Sequence, residues 1–328
     1  MTAEDALPSS ELHPTVESVV ETVDRIIAAE VGNVWSLQRV ALAQHGSGGK
    51  RLRTLIVAGF LEECSTSECV QNLAVAAAAI ELVHLATLVH DDLIDGSPQR
   101  RGLDATWAEF GPARAVVAGD ALMAAAFGQA SRVDALCAVE LANALISVCN
   151  GQMAELDDAG DAERTLGRVE SIAAQKTGSL FGAAAAIGCI CTRRHGVDEA
   201  RSAGVQLGTS YQLLDDLQDI DFANGGACVD LTVRLLTQSW IYARDARDEE
   251  TSALFDGDAF ADSSHRRQLL WRSQGPLRAA ARIGKIGASV VLPDGPAAAV
   301  TRLRSLASEW EEQARAIVER NSLADITD

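Results

Sequence analysis

Residues 81–102, Glu81-Leu-Val-His-Leu-Ala-Thr-Leu-Val-His-Asp-Asp-Leu-Ile-Asp-Gly-Ser-Pro-Gln-Arg-Arg-Gly102, end an apolar run in three carboxylates and an arginine pair. On a helix turning about 100° per residue, Asp91 and Asp95 share one face, with Asp92 beside them. Thr87 and His84 fall on that same face, one and two turns deeper. The helix therefore presents acids at its mouth, a polar ring below, and apolar residues beneath. Carboxylates gathered in this way repel one another unless a cation sits between them. Hard divalent ions with oxygen ligands, Mg²⁺ above all, supply that charge and commonly bring a phosphate with them. A solvated acidic helix end is the competing reading of this stretch alone.

The composition narrows what surrounds this element. Of 328 residues, 48% are hydrophobic but only 4% aromatic, so the core is aliphatic and rich in alanine, which favours closely packed helices. Seven cysteines form neither a CxxC pair nor a disulfide framework and read as reduced core residues of a cytoplasmic protein. The N-terminal stretch is acidic, without the apolar segment of a secretory signal. The apolar run at 73–89 is interrupted by Glu81 and His84, which argues against a membrane span. A net charge of −18 argues against bulk nucleic-acid binding. Only three lysines occur, Lys50, Lys176 and Lys285.

Residues 1–12 read as a mobile tail on a single domain spanning 1–328. Helical spacing runs over 15–44, then breaks at His45-Gly-Ser-Gly-Gly, and Lys50-Arg-Leu-Arg opens a helix to Glu63. A glycine-rich turn before a basic first turn is a candidate anion site. Helices are expected at 70–95, 113–130, 133–156, 164–177, 178–195, 198–222, 231–245 and 296–321; residues 249–275 resist assignment. No sustained period-2 alternation, dinucleotide fingerprint or repeat is visible, so the chain reads as all-α. The acidic break Asp157-Asp-Ala-Gly-Asp161 fits DDxxD but contains glycine and reads as a solvated loop.

A second DDxxD stands on an apolar helix in Tyr211-Gln-Leu-Leu-Asp-Asp-Leu-Gln-Asp219. Asp215 and Asp219 share a face, with Tyr211 and Gln212 a turn deeper. Two carboxylate walls facing across a bundle suit Mg²⁺ ions bridged by a diphosphate, with an apolar shaft beneath for a hydrocarbon tail.

These residues carry a resemblance. Gly48-Gly-Lys-Arg-Leu-Arg53, His84, Asp91-Asp-Leu-Ile-Asp95 with Arg100-Arg101-Gly102, Gly119-Asp120, Lys176-Thr177 and the 211–219 motif resemble the trans-isoprenyl diphosphate synthases, or polyprenyl synthetases. The resemblance covers about residues 45–245. It implies an isoprenoid-synthase-type helical bundle around a central cavity, usually a homodimer. It further implies Asp91, Asp95 and Asp215 as Mg²⁺ ligands, with Asp92 and Asp219 as supporting carboxylates. Arg100, Lys176, Thr177 and Gln212 would contact an allylic prenyl diphosphate, and Lys50, Arg53, His84 and Arg101 would bind isopentenyl diphosphate. Ionisation of the allylic diphosphate and attack by the isopentenyl double bond would follow. Chain length in the family is set four and five positions before the first motif. Thr87 and Ala86 stand there, both small, with Val83 and Ile80 as candidate floor, implying geranylgeranyl diphosphate or a longer product.

The sequence departs from the family after the second motif. Gly225-Gly-Ala-Cys and Asp230-Leu-Thr-Val-Arg-Leu-Leu-Thr lack the family's two lysines, and Arg234 is a candidate substitute for one. A terpene cyclase, an irregular prenyl-coupling enzyme and a non-catalytic partner subunit therefore stay open as alternatives.

Overall fold

A computed structural model describes residues 15–33, 49–159, 161, 163–221, 223, 236–246, 270–292 and 297–324. The helices are α1 (Val16–Asn33), α2 (Leu52–Ala58), α3 (Ser67–Ile94), α4 (Thr106–Phe110), α5 (Pro112–Val133), α6 (Ala135–Asp157) and α7 (Leu166–Ala173). A π-helical turn at Ala174–Gly178 leads into α8 (Ser179–Cys191). Then follow α9 (Val197–Asp219), α10 (Gln238–Ala246), α11 (Gly275–Ala288) and α12 (Ala297–Ala324). The expected all-α class holds. Among the described residues the one sheet is a hairpin, β1 (Gln99–Arg100) against β2 (Leu103–Asp104), and its two-residue strands are too short to register as alternation in sequence.

Two compact units emerge: residues 1–145, 183–201 and 294–300 form the first, and 146–182, 202–293 and 301–328 the second. In the first, α3 is the central element. Thr66 caps its start by accepting from the Cys69 N–H, and Ala76, Ala77, Ala78 and Ala79 are all fully buried. Alanine has the highest helix propensity and the smallest side chain, so this run allows neighbours to approach closely. The most extensive neighbour of α3 is α5, followed by α1 and α2. At that contact a Cβ on Gly119 would come within 2.1 Å of His90 Nε2, so a larger residue would have to push the imidazole aside. Helix α3 is long and apolar enough to cross a membrane, and most of it is buried within the protein. In the second unit, α10 packs against α11, and α12 contributes Trp310 to an aromatic cluster with Phe181 and Tyr211.

Two readings of the sequence are corrected. Asp158 is not solvated: it is 7% exposed and bonds Arg164, itself 4% exposed, at 3.0 Å, with Arg168 on its other edge. The partners lie six and ten positions downstream, where α7 begins, and burial of the acid follows from that turn. Cys64 and Cys69 are disulfide-bonded, unlike the reduced set expected, because the turn capped by Thr66 folds the two cysteines to a Cα separation of 5.4 Å. The 1–12 tail, the 34–44 part of the first helical stretch, the break at 45–48, the glycine-rich loop at 224–228, Arg234 and residues 249–269 lie outside the described residues.

Candidate active site

The first acid motif ends α3. Asp95 is its C-cap, and its N–H donates to the Asp91 carbonyl at 2.8 Å. The side chains of Asp91 and Asp95 lie one turn apart at the rim, Asp91 half-buried and Asp95 exposed. Asp92 points elsewhere. It is 1% exposed and accepts from Arg100 Nε at 2.7 Å and Nη2 at 2.6 Å, while its Oδ2 is buried without a hydrogen-bond partner. Arg100 reaches it because β1 and β2 turn at Arg101 (φ 52°) and Gly102 (φ 79°). Positive φ at both central residues is the geometry of a type I′ hairpin, which glycine adopts freely and arginine only under constraint. Trp107 Nε1 donates to the Ser97 carbonyl at 2.8 Å and ties down the approach to this hairpin.

Below the rim, His84 lies within a ring of guanidinium groups. Burial is the largest cause lowering its imidazole pKa well below the usual value, and Arg53, Arg100, Arg101 and Arg51 push the same way. The ring is therefore neutral at pH 7, able to donate from one nitrogen, and arginines supply positive charge around it. The basic turn ahead of α2 supplies part of that charge. Arg51 stands at φ 49° as the N-cap and is drawn to Asp24 at 3.1 Å, leaving Lys50 and Arg53 on either side of it. The backbone at Gly49 approaches Arg101, whose Nη1 would stand 3.2 Å from a Cβ there. The first unit thus brings Arg53, Arg100 and Arg101 near His84 and Arg100 onto Asp92, with Lys50 in the turn ahead of α2 and Asp91 and Asp95 at the end of α3.

The chain-length candidates line the same helix. Ala86 and Val83 are fully buried and Thr87 is 8% exposed. The Thr87 hydroxyl donates to the His84 carbonyl at 2.8 Å, so its hydrogen is spent on the helix itself.

The second unit holds the other motif. Lys176 and Thr177 lie in the π-helical turn, a local widening that recurs at functional sites because it re-aims consecutive side chains. Lys176 Nζ forms an ion pair with Glu155, and the Lys176 backbone lies so close to α6 that a Cβ on Gly151 would meet its nitrogen at 2.8 Å. Thr177 Oγ1 donates to Gln212 Oε1 at 2.6 Å, and Gln212 Nε2 donates to Asp216 Oδ1 at 2.9 Å. This contact between the π turn and α9 is possible because glycines face each other. A Cβ on Gly208 would stand 2.7 Å from Gly178 Cα, and one on Gly178 would stand 2.7 Å from the Val205 carbonyl. Asp215 and Asp219 are exposed on α9, one turn apart. Just beyond them Asp221 is fixed by Arg320 and by Asn321 at 2.9 Å. Burial raises its pKa, and the hydrogen bonds from Arg320, Asn321 and the Ala223 N–H outweigh that, so the net shift is downward.

Among the described residues no three acid, imidazole or thiol groups converge on one point. Mg²⁺ commonly takes one or two protein carboxylates and fills its octahedron with water and substrate phosphate oxygens, and the acid pairs on α3 and α9 are donor sets of that kind. Glu155 and Gly151 are not singled out by the sequence. Their only signal there is a spacing of four on a helix, which is uninformative until Lys176 is known to lie opposite.

The sequence signature of the family described as polyprenyl synthetase matches residues 36–267. Geranylgeranyl diphosphate synthase of Mycobacterium tuberculosis is 32% identical over 270 residues, 77% of this chain and 75% of that protein. Nonaprenyl diphosphate synthase of the same organism is 32% identical over 177 residues, about half of either chain, 53% and 52%. Farnesyl diphosphate synthase of Escherichia coli is 32% identical over 201 residues, 55% of this chain and 66% of that one. In fold, the crystal structure of a polyprenyl synthase from Caulobacter crescentus superposes with a TM-score of 0.79 over 92% of this chain and 98% of that one, at 23% identity.

Proposed function

Because the chain belongs to the polyprenyl synthetase family and is a prenyltransferase that elongates prenyl diphosphates, we propose that it joins isopentenyl diphosphate to an allylic prenyl diphosphate in a Mg²⁺-dependent reaction. The observation that carries this reading is the gathering of Arg53, Arg100 and Arg101 about His84 on the helix that ends in the rim acids, with Arg100 bonded to Asp92 and Arg101 against the Gly49 backbone. A basic ring beside an acidic rim suits a diphosphate that is shared between guanidinium groups and metal. Arginine offers planar, paired donors to phosphate oxygens, and a charged hydrogen bond contributes about 1.5–3 kcal/mol.

In this reading Lys50, Arg53, His84 and Arg101 hold the isopentenyl diphosphate. Lys176, Thr177, Gln212 and Arg100 hold the allylic diphosphate, Lys176 exchanging Glu155 for a phosphate oxygen. Asp91, Asp95 and Asp215 would hold Mg²⁺, with Asp92 and Asp219 supporting them. When bound, Mg²⁺ would draw charge from the diphosphate and make it a leaving group. The allylic C–O bond breaks, the isopentenyl double bond attacks the resulting cation, and a proton is lost to the released diphosphate. The protein's own contribution is positioning and fixed charge; no side-chain nucleophile takes part.

The small Thr87, about 6 Å below Asp91 at the helical rise, would leave a shaft open at the depth where a bulky residue would close it. Geranylgeranyl diphosphate is the first expectation for the product. A homodimer is supported by α6, which exposes Leu136, Val139, Ile146, Met153 and Leu156 at spacings that keep them near one side of the helix. The cytoplasm, where both substrates are soluble, is the compartment this reading assumes.

The test incubates the pure protein with Mg²⁺, isopentenyl diphosphate and dimethylallyl, geranyl or farnesyl diphosphate, and identifies the product. A linear diphosphate longer than farnesyl is expected, and Thr87→Phe should shorten it. Release of a hydrocarbon would favour a cyclase, and absence of turnover with every primer would favour a non-catalytic subunit.

A further inference from the structure

A buried carboxylate inside an apolar helix needs a reason, because desolvating its charge costs several kcal/mol unless donors meet it. Glu81 is 6% exposed and sits in the middle of α3, three residues before His84. Its Oε1 accepts two hydrogen bonds from one residue 27 positions away: the Thr54 N–H at 3.2 Å and the Thr54 hydroxyl at 2.8 Å. Thr54 itself is fully buried and lies in the first turn of α2.

That first turn lacks a local cap. The residue in the N-cap place is Arg51, whose side chain makes no capping bond and whose backbone is left-handed at φ 49°. Helix starts leave backbone N–H groups in need of acceptors, usually met by a Ser, Thr, Asp or Asn at the N-cap. Here Glu81 does this from across the unit. The turn it fixes is the one that carries Lys50 and Arg53, and the helix it reaches from is the one that carries His84.

We propose that Glu81, through Thr54, is a positioning residue for the isopentenyl diphosphate pocket: it sets the height of the basic turn against His84. This rests on the functional reading above. Glu81 touches no substrate. It acts by geometry, since a negative charge near an anion site would by itself oppose binding. Removing the hydrogen bonds and removing the charge are therefore separable. The Glu81→Gln variant keeps a carbonyl acceptor without the charge, whereas Glu81→Ala loses both.

The experiment compares the wild type with Thr54→Val, Glu81→Gln and Glu81→Ala, each checked for its melting temperature. Binding of isopentenyl diphosphate is titrated calorimetrically without an allylic primer, and KM for both substrates is measured in turnover. Thr54→Val and Glu81→Ala should weaken isopentenyl diphosphate binding about tenfold, with the allylic KM moving less than about twofold. Glu81→Gln should stay within about threefold of wild type. Equal loss for both substrates, unchanged binding in Thr54→Val, or a Glu81→Gln as weak as Glu81→Ala would overturn the proposal. A wild type that binds isopentenyl diphosphate but transfers no prenyl group would instead overturn the functional reading, while the binding series would still decide the role of Glu81.

Discussion

The two acid motifs stand on helices of similar kind but are supported in opposite ways. Around the first, arginines converge from the hairpin and from the turn ahead of α2, and one of them is already locked on Asp92. Around the second, charge is cancelled within the unit: Lys176 is paired with Glu155, and Thr177, Gln212 and Asp216 form a chain of hydrogen bonds. The first region holds several arginines in place against fixed acids, Arg100 on Asp92 and Arg51 on Asp24. The second is a set of self-satisfied pairs that must be opened before a phosphate can be bound. The lesson concerns where affinity comes from. A guanidinium has five N–H donors, so Arg100 can stay on Asp92 and still offer donors to an anion, whereas Lys176 would have to share or leave Glu155. The absence of lysines at 225–237 sharpens this contrast, since the family's further cations after the second motif are missing in sequence.

The hardest test of the contrast sets Asp91 against Asp158, two aspartates that each belong to a DDxxD spacing. Asp91→Asn should lower kcat by about 10³-fold with a smaller change in melting temperature, because in the proposed reading Asp91 would hold Mg²⁺ at a half-buried rim. Asp158→Asn should do the reverse. It leaves Arg164 buried and unpaired, which costs about 3–5 kcal/mol, while kcat of the folded fraction stays near wild type. Equal loss of activity in both, measured by product formation beside a thermal melt, would erase the distinction between a rim acid and a structural one.

A smaller effect tests the second region. Gly151→Ala pushes a methyl group into the Lys176 backbone at 2.8 Å and should displace the π turn. About tenfold is expected to be lost from kcat/KM for the allylic substrate, with isopentenyl diphosphate binding unchanged. If isopentenyl diphosphate binding fell equally, the two regions would not be separable in the way described.

How much of this is legible in sequence follows the range of the interactions. Helix α3 is expected at 70–95 and runs over Ser67–Ile94, because apolar spacing and the terminal acids are local signals. Arg53, Arg100 and Arg101 lie near His84 and Arg100 bonds Asp92, and Asp91, Thr87 and His84 follow one another on a regular helix. What stays hidden is non-local. Glu81 reads as an interruption of an apolar run, and its meaning emerges only with Thr54 beside it. Asp158 reads as solvent-facing because the arginines that bury it lie at and beyond the start of the next helix. The π turn at Lys176 is a change of hydrogen-bond register with no sequence signature, and the hairpin that aims Arg100 is two residues per strand. Helix α11 is not among the expected helices although Pro276, Ala279, Ala280, Ile283 and Gly287 recur at helical spacing on its buried face; that face is built mostly of small residues and so reads weakly as apolar.

The finest test returns to the arginine ring and reads it through pH. His84 has its pKa lowered in the folded protein, by burial first and then by Arg53, Arg100, Arg101 and Arg51. Unfolded, the same imidazole titrates near its ordinary value of about 6.5. Above that pH it is neutral in both states and contributes nothing to the pH dependence of stability. As pH falls below about 6.5 the unfolded chain takes up a proton that the folded chain refuses, so stability drops and keeps dropping until pH passes the lowered folded value. His84→Gln cannot titrate, and its melting temperature should therefore fall less than that of wild type between pH 7 and pH 5. The second region offers no counterpart, since its cation is already paired with Glu155. Parallel melting curves for the two proteins across that range would mean that His84 is protonated in the fold, and the ring of arginines would then not be the fixed positive charge from which the comparison begins.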